Sequence, residues 1–433
     1  MNRRLALSIA SGALAVLLLG SVARAQEEVT IGYQGLPYKS SGESNTGIQV
    51  ADGVLLHSGV GVEAGYDSNV FYASSNAIGS SILRVMPFVD LTNATRTGPA
   101  SKTLTFDLRA GLLYRRYFSD DPALSPYANS WNPNAGLSLS LGGGQIGFGF
   151  ADVFARIEDP PYQGQAGVLE RNNNQASAEL RWAPGGGRLS GTLRYTNMID
   201  IYGTSYQYAN AMTNTLMLDV SWKWLPKTAV FVNIQQGYVF YFNDNVTVTD
   251  VVNNTTNMGK ASSFPLYATA GLRGLLTEKT SGALTLGYVN AFYSEGTSTS
   301  GFLGSTYADL NFTVRPNQLS RIVLGVRHDF LNSVISNFSY EDTVYASYVQ
   351  QIAGRLALDL SGRFARLDYQ GNFVDPAQAG RIDHFWQFGA SLDYFLRNWA
   401  YLGVGYSLLD NNSNKPLDSY VKQQVFARLG VTY

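Results

Sequence analysis

Three histidines, no cysteine and a scatter of alternating charges are the reactive chemistry this chain offers. His57, His328 and His384 lie far apart, and no metal-ligand spacing joins them. The lack of cysteine removes disulfides, thiolate metal sites and thiol nucleophiles. Neither Gly187-Arg188-Leu189-Ser190-Gly191 nor the run from Leu56 to Gly61 leads into a helical pattern, so neither is a nucleophile elbow. The glycines of 142–149 also precede no helix whose N-terminus would hold phosphate, and they read as a turn entering a strand. No catalytic residue, metal ligand or cofactor site is assigned, and the expectation is a protein that is not an enzyme.

The charges say more. Arg84, Arg109, Arg181, Arg194, Lys223, Arg273, Arg327, Arg363 and Arg428 occupy the polar phase of an alternating pattern. Glu63, Asp90, Asp107, Glu179, Asp219, Asp309, Asp329, Asp359 and Asp393 share that phase. Asp107/Arg109, Glu179/Arg181 and Arg327/Asp329 are spaced by two, which places each pair on one face of a strand. A polar lumen whose charges set selectivity would have this pattern. So would a wall of ion pairs that neutralise one another, and the mixture of signs argues against strong anion or cation selectivity. Tyr307 and Tyr345 share the polar phase, either as stacking surfaces for sugar rings or as lumen filling.

The elements that carry these residues are strands of period two. In 103–114, Leu104, Phe106, Leu108, Ala110, Leu112 and Tyr114 alternate with Thr105, Asp107, Arg109 and Gly111. In 215–224, Leu216, Leu218, Val220, Trp222 and Trp224 alternate with Met217, Asp219, Ser221 and Lys223. The segments 307–315 and 355–364 repeat the theme. Such alternation marks strands, and no long segment has the three- and four-residue steps of a helix. Short turn signals such as 183–188, 225–228 and 351–355 alternate with long polar stretches such as 158–174, 243–263 and 332–342, which read as loops. The count is about 18 strands (16–18), an even number that suits a closed barrel. Gly147–Phe154 and Val230–Phe242 fit the alternation poorly and are expected to hold bulges.

The chain has 433 residues, of which 13% are aromatic and 15% charged, with a net charge of -1. That balance indicates no nucleic-acid partner. Residues 1–25 form a signal peptide: a basic start, an apolar run and Ala23-Arg24-Ala25 as the cleavage site. Residues 26–53 are a polar periplasmic extension without a fold of its own, and 54–433 form the barrel. An apolar face on every strand would aggregate a soluble protein. The opposite face is too charged for a packed interior. A transmembrane antiparallel up-and-down β-barrel satisfies both faces, because lipid covers one and water the other. Tyr114, Trp182, Tyr195, Trp222, Trp224, Tyr394, Trp399 and Tyr401 lie where interfacial girdles are expected.

The last residues, Val425, Ala427, Leu429, Val431 and Tyr433, alternate and end on an aromatic. This resembles the C-terminal assembly signal of the outer-membrane porin superfamily, with Tyr433 where Phe is commoner. The stretch 59–91, with Tyr66-Asp67-Ser68-Asn69-Val70-Phe71 and Pro87, is similar to the start of the β-barrel porin 2 family. The resemblance implies the outer membrane of a Gram-negative bacterium, periplasmic termini and assembly by the barrel assembly machinery. It also implies a conduit for a secreted polysaccharide (exopolysaccharide) that works with a periplasmic polysaccharide co-polymerase. A general or sugar-type diffusion porin for small solutes is the alternative, and an occluded barrel acting as anchor, adhesin or enzyme is a further one.

Overall fold

The computed structural model describes residues 47–433 apart from 94–103, 143, 160–168, 243–247, 250–255, 258–259, 294–305, 374 and 398. The expected signal peptide and most of the expected extension lie outside the described residues.

Eighteen strands form one closed antiparallel barrel. They are β1 (Val54–Asp67), β2 (Ser80–Thr92), β3 (Leu104–Phe118), β4 (Asn129–Leu141), β5 (Ile146–Asp159), β6 (Leu169–Trp182), β7 (Leu189–Tyr202), β8 (Ala211–Leu225) and β9 (Thr228–Tyr241). There follow β10 (Leu266–Leu275), β11 (Thr280–Asn290), β12 (Thr306–Val314), β13 (Ser320–Asn332), β14 (Ser336–Ile352), β15 (Leu356–Phe373), β16 (Ile382–Arg397), β17 (Ala400–Ser413) and β18 (Tyr420–Thr432). Each strand pairs with its sequence neighbours, and β18 returns to β1 through Gly59↔Thr432 to Asp67↔Gln424. This is the all-β up-and-down barrel that the alternation predicts.

The seam is finished by the C-terminal residue. The Tyr433 N–H donates to the Ser58 carbonyl at 2.8 Å, and the Ser58 N–H donates to the Tyr433 carbonyl at 3.1 Å. Below Tyr433 the edge of β1 would stand open. Ile48–Ala51 folds back there and pairs Ile48 with Leu56 and Gln49 with Leu55. The end of the extension therefore has structure, because an unpaired strand edge leaves backbone groups unsatisfied.

The two faces separate cleanly. Leu216, Leu218, Val220, Trp222 and Trp224 are exposed on the outside of β8. That apolar band runs nine residues and then meets the polar Asn214, which bonds Tyr195 Oη and Asn197 across β7. A strand needs roughly 9–11 residues to cross hydrocarbon. Trp182, Tyr195, Tyr394 and Trp399 are also exposed outside, and Tyr114 packs on Trp131 at 4.4 Å. Tyr401 departs from the girdle expectation. It is 5% exposed on the inner face, with its ring over Gly430, because its parity in β17 is that of the inward residues.

Two other expectations change. The stretch 332–342, read as a loop, is mostly strand: β13 and β14 pair through His328↔Asp342, Phe330↔Tyr340 and Asn332↔Phe338. Only Ser333–Ile335 turn. Backbone groups make the ladder, so a strand continues through polar side chains once the outer face no longer has to be apolar. For the same reason β6 begins at Leu169, inside a stretch that reads as loop. The bulge expected in Gly147–Phe154 is absent, since β5 pairs in unbroken register on both sides. Val230–Phe242 is likewise in unbroken register from Val230 to Tyr241, and the shift lies just before it, between Thr228 and Val230.

Removing Val431–Tyr433 should weaken closure by about 3 kcal/mol, at about 1 kcal/mol for each lost hydrogen bond. The check is the temperature at which the folded band disappears from unheated detergent gels. An unchanged temperature would show that the seam does not depend on these residues.

Candidate functional site

The candidate site is the lumen, and its geometry is set by one inserted hairpin. Phe330, Leu331, Val334, Ile335 and Phe338 at the tip of β13–β14 are all buried. Val334 belongs to a packed cluster with Leu169, Tyr202, Tyr206 and Ala209, from the loop-side ends of β6 and β7 and the kinked 3-10 segment Thr204–Ala209 after β7. Ile335 belongs to a second cluster with Tyr72, Ala365, Leu367, Phe385, Leu409 and Tyr420, from β15 to β18 and the β1–β2 loop. β6 and β15 are nine strands apart in an eighteen-strand ring, so these clusters line opposite walls. Only a hairpin folded across the interior reaches both. Burial of each such apolar side chain contributes about 1.5–3 kcal/mol.

Polar contacts hold the tip. Tyr267 Oη donates to the Phe330 carbonyl at 2.7 Å, and Tyr293 Oη donates to the Asn337 carbonyl at 3.2 Å. Lys260 Nζ donates to the Ser333 carbonyl, with Tyr241 beneath it at 5.0 Å. Burial pushes the Lys260 ammonium down to about 7.

A second inward segment explains the Tyr66–Phe71 motif. Asp67 and Lys422 are buried and paired at 2.9 Å across the seam, and Gln424 Nε2 donates to the same carboxylate at 2.7 Å. The Asn69 N–H donates to Asp67 Oδ1 at 3.0 Å. The Asn69 side chain brackets Ala73, accepting from its N–H and donating to its carbonyl, each at 2.8 Å. This fold-back carries Val70 into one buried cluster and Tyr72 into the Ile335 cluster. Lys422 Nζ lies 3.8 Å from the centre of the Tyr72 ring.

The strand register puts all eighteen charged candidates on the inner face. Most are neutralised there. Glu63 meets Arg84 at 3.3 Å, and Arg109 meets Asp107 at 2.7 Å and Asp90 at 3.6 Å. Glu179 holds Arg194 at 2.6 Å and also binds Arg181. Asp219 meets Arg273 at 3.4 Å, and Asp393 meets Arg428 at 2.6 Å. Glu341 gathers Arg327 at 3.3 Å and Arg363 at 2.5 Å, and Asp329 lies 3.9 Å from Arg327. Asp309 accepts from Asn311, while Lys223 and Asp359 stand exposed. Glu341, the Arg171–Asp200 pair and the Asp67–Lys422 pair escape the sequence reading. Glu341 and Arg171 fall in stretches read as loops, and extending the alternation would have found them.

The histidines do not meet. His57 is buried inside, His328 bonds Asp342 on the outer face at 2.6 Å, and His384 stacks near Phe364 on the outer face. No metal-binding group of three or more His, Cys, Asp or Glu occurs among the described residues. Tyr307 and Tyr345 face inward, and Tyr307 packs against the cluster under the hairpin.

No protein-family model matches the chain, and no curated protein matches it. The resemblance of 59–91 to the β-barrel porin 2 family is therefore not accompanied by a family match. Solved structures of similar fold include a variant of the ferric enterobactin receptor PfeA from Pseudomonas aeruginosa, with TM-score 0.46 and 9% identity, covering 87% of this chain and 80% of that one. The siderophore receptor PirA from Acinetobacter baumannii gives 0.43 and 9%, with the same two coverages. Acinetobacter baumannii OccAB4 gives 0.41 and 10%, covering 90% of this chain and 100% of that one.

Two outcomes test the site. Lys422→Met leaves Asp67 buried without its cation and should cost about 3–5 kcal/mol. Thermal unfolding should show most of that loss recovered in the Asp67→Asn/Lys422→Met double variant. For Lys260, folding releases a proton between pH 7 and the ordinary value of 10.5. Ionisation therefore opposes tip docking increasingly as pH falls through that window, and fully below it. A spin label at Asn332→Cys should gain mobility on going from high pH to neutral pH, and the gain should vanish in Lys260→Met.

Proposed function

We propose that the protein is an outer-membrane channel for small hydrophilic solutes, acting passively and not as an enzyme. The observation that carries this reading is the closed eighteen-strand wall with a charged, ion-paired inner face and an apolar outer band edged by Trp and Tyr. In hydrocarbon every backbone group has to be paired within the protein, and a closed barrel does this. Barrels of 16–18 strands are wide enough for an aqueous channel. The hairpin across the lumen narrows that path, which favours small solutes over a polymer. The end with short connections, where β1 starts and β18 stops, is assigned to the periplasm. Val425, Ala427, Leu429, Val431 and Tyr433 serve there as the signal for the assembly machinery.

Export of an exopolysaccharide is the second reading. It draws on the Tyr66–Phe71 motif, which builds the loop that meets the hairpin tip, and it requires the hairpin to swing aside and a periplasmic co-polymerase to drive the chain.

Single-channel recording in planar bilayers tests the main reading. Replacing 330–338 with a short turn should raise conductance several-fold over the intact protein. An absence of conductance in both proteins would defeat the channel. Loss of surface polymer on gene deletion, with small-solute uptake unchanged, would favour export instead. Leu218→Arg on the outer band should cost about 2–4 kcal/mol in urea unfolding from lipid vesicles. Met217→Arg on the inner face should cost far less, and equal costs would refute the lipid-facing assignment.

A further inference from the structure

The connections at the short end share a feature that the strands do not need. Those joining β6–β7, β8–β9, β10–β11, β12–β13 and β14–β15 carry Arg188, Lys227, Lys279, Arg315 and Arg355, and Arg397 ends β16 at its turn. All six are exposed, and none makes an ion pair among the described residues. Glu278 is the one carboxylate in these connections, and Asp52 lies at the same end before β1. Just inside, the wall formed by β6, β7, β8 and β10 bears Arg181, Arg194, Lys223 and Arg273 against only Glu179 and Asp219. Arg181 has 58% of its side chain exposed and Arg273 38%, so their pairing leaves both open to the lumen.

The two sets are continuous. A Cβ placed on Gly187 would lie 3.7 Å from Lys223 Nζ, so that ammonium rests against the turn that holds Arg188. The neighbouring inner face of β5 is small and neutral, with Gly147, Gly149 and Ala151, and the Glu179 side chain lies over Gly149. Asp359, an exposed carboxylate, stands on β15, nine strands round from β6. An excess of positive charge on the rim and down one wall focuses anions into the opening.

We propose that the short-connection end is an anion-collecting mouth, whose rim cations and basic strip take solutes bearing phosphate or carboxylate groups. Entry of those solutes into the lumen rests on the channel reading above; their capture at the mouth does not.

The probe is inorganic tripolyphosphate, titrated by calorimetry into the detergent-purified barrel at low ionic strength. The triple variant Arg188→Glu, Arg315→Glu and Arg355→Glu, at exposed turn positions, should bind it at least ten-fold more weakly. Lys415→Glu, at the opposite end, should leave the affinity unchanged. Equal binding by wild type and triple variant, or equal loss in Lys415→Glu, would overturn the proposal. In a KCl gradient across a planar bilayer, the wild type should favour chloride and the triple variant should shift the reversal potential toward potassium. Specific tripolyphosphate binding without conductance would keep the mouth and defeat the channel. Conductance with no chloride preference and unchanged tripolyphosphate affinity would keep the channel and defeat the mouth.

Discussion

The whole structure depends on closing the backbone hydrogen bonds between the first and last strands. A sheet of eighteen strands with an open edge would expose a row of unpaired N–H and C=O groups. Pairing from Asp67↔Gln424 down to Gly59↔Thr432, then Tyr433 with Ser58, then Ile48–Ala51 on the remaining edge, leaves no such row at the seam. With the wall closed, residue parity becomes a division between inside and outside. Asp67 and Lys422 add a buried ion pair to the seam and fasten the β1–β2 loop over it.

Closure also creates the problem the hairpin resolves. An empty cylinder of this width has no interior packing, and its charged wall needs partners. The lower wall meets that need with lateral ion pairs such as Glu179–Arg194 and Asp393–Arg428. The upper part meets it differently, with Phe330, Val334, Ile335 and Phe338 brought in by β13–β14 to build apolar clusters against both walls. The result is a lumen packed toward the long connections and polar toward the short ones.

Much of this was legible in the chain. Alternation over 103–114 and 215–224 names strand, face and approximate length together, because lipid and water impose opposite demands on successive side chains. The charged phase of the pattern likewise marks the inner wall, residue by residue. The reading loses its footing beyond the apolar band. At 332–342 and 169–174 polar side chains look like loop, yet the backbone ladder continues, since it is indifferent to side-chain polarity. Tyr401 misled for a related reason: an aromatic beside a turn fits a girdle, and only its pairing with Phe395 and Gly430 shows that it points inward.

By itself the sequence determined the strands, their two faces, the barrel they must close into and the pairing of the last strand with the first. These follow from local periodicity and from the cost of unpaired backbone. Only the tertiary structure decided which hairpin enters the lumen, which acid holds which base, and which described turn cations share one end of the barrel. Those facts join residues such as Val334 and Leu169, or Lys422 and Asp67, that are remote in the chain. No periodicity records which remote positions a closed wall will bring face to face.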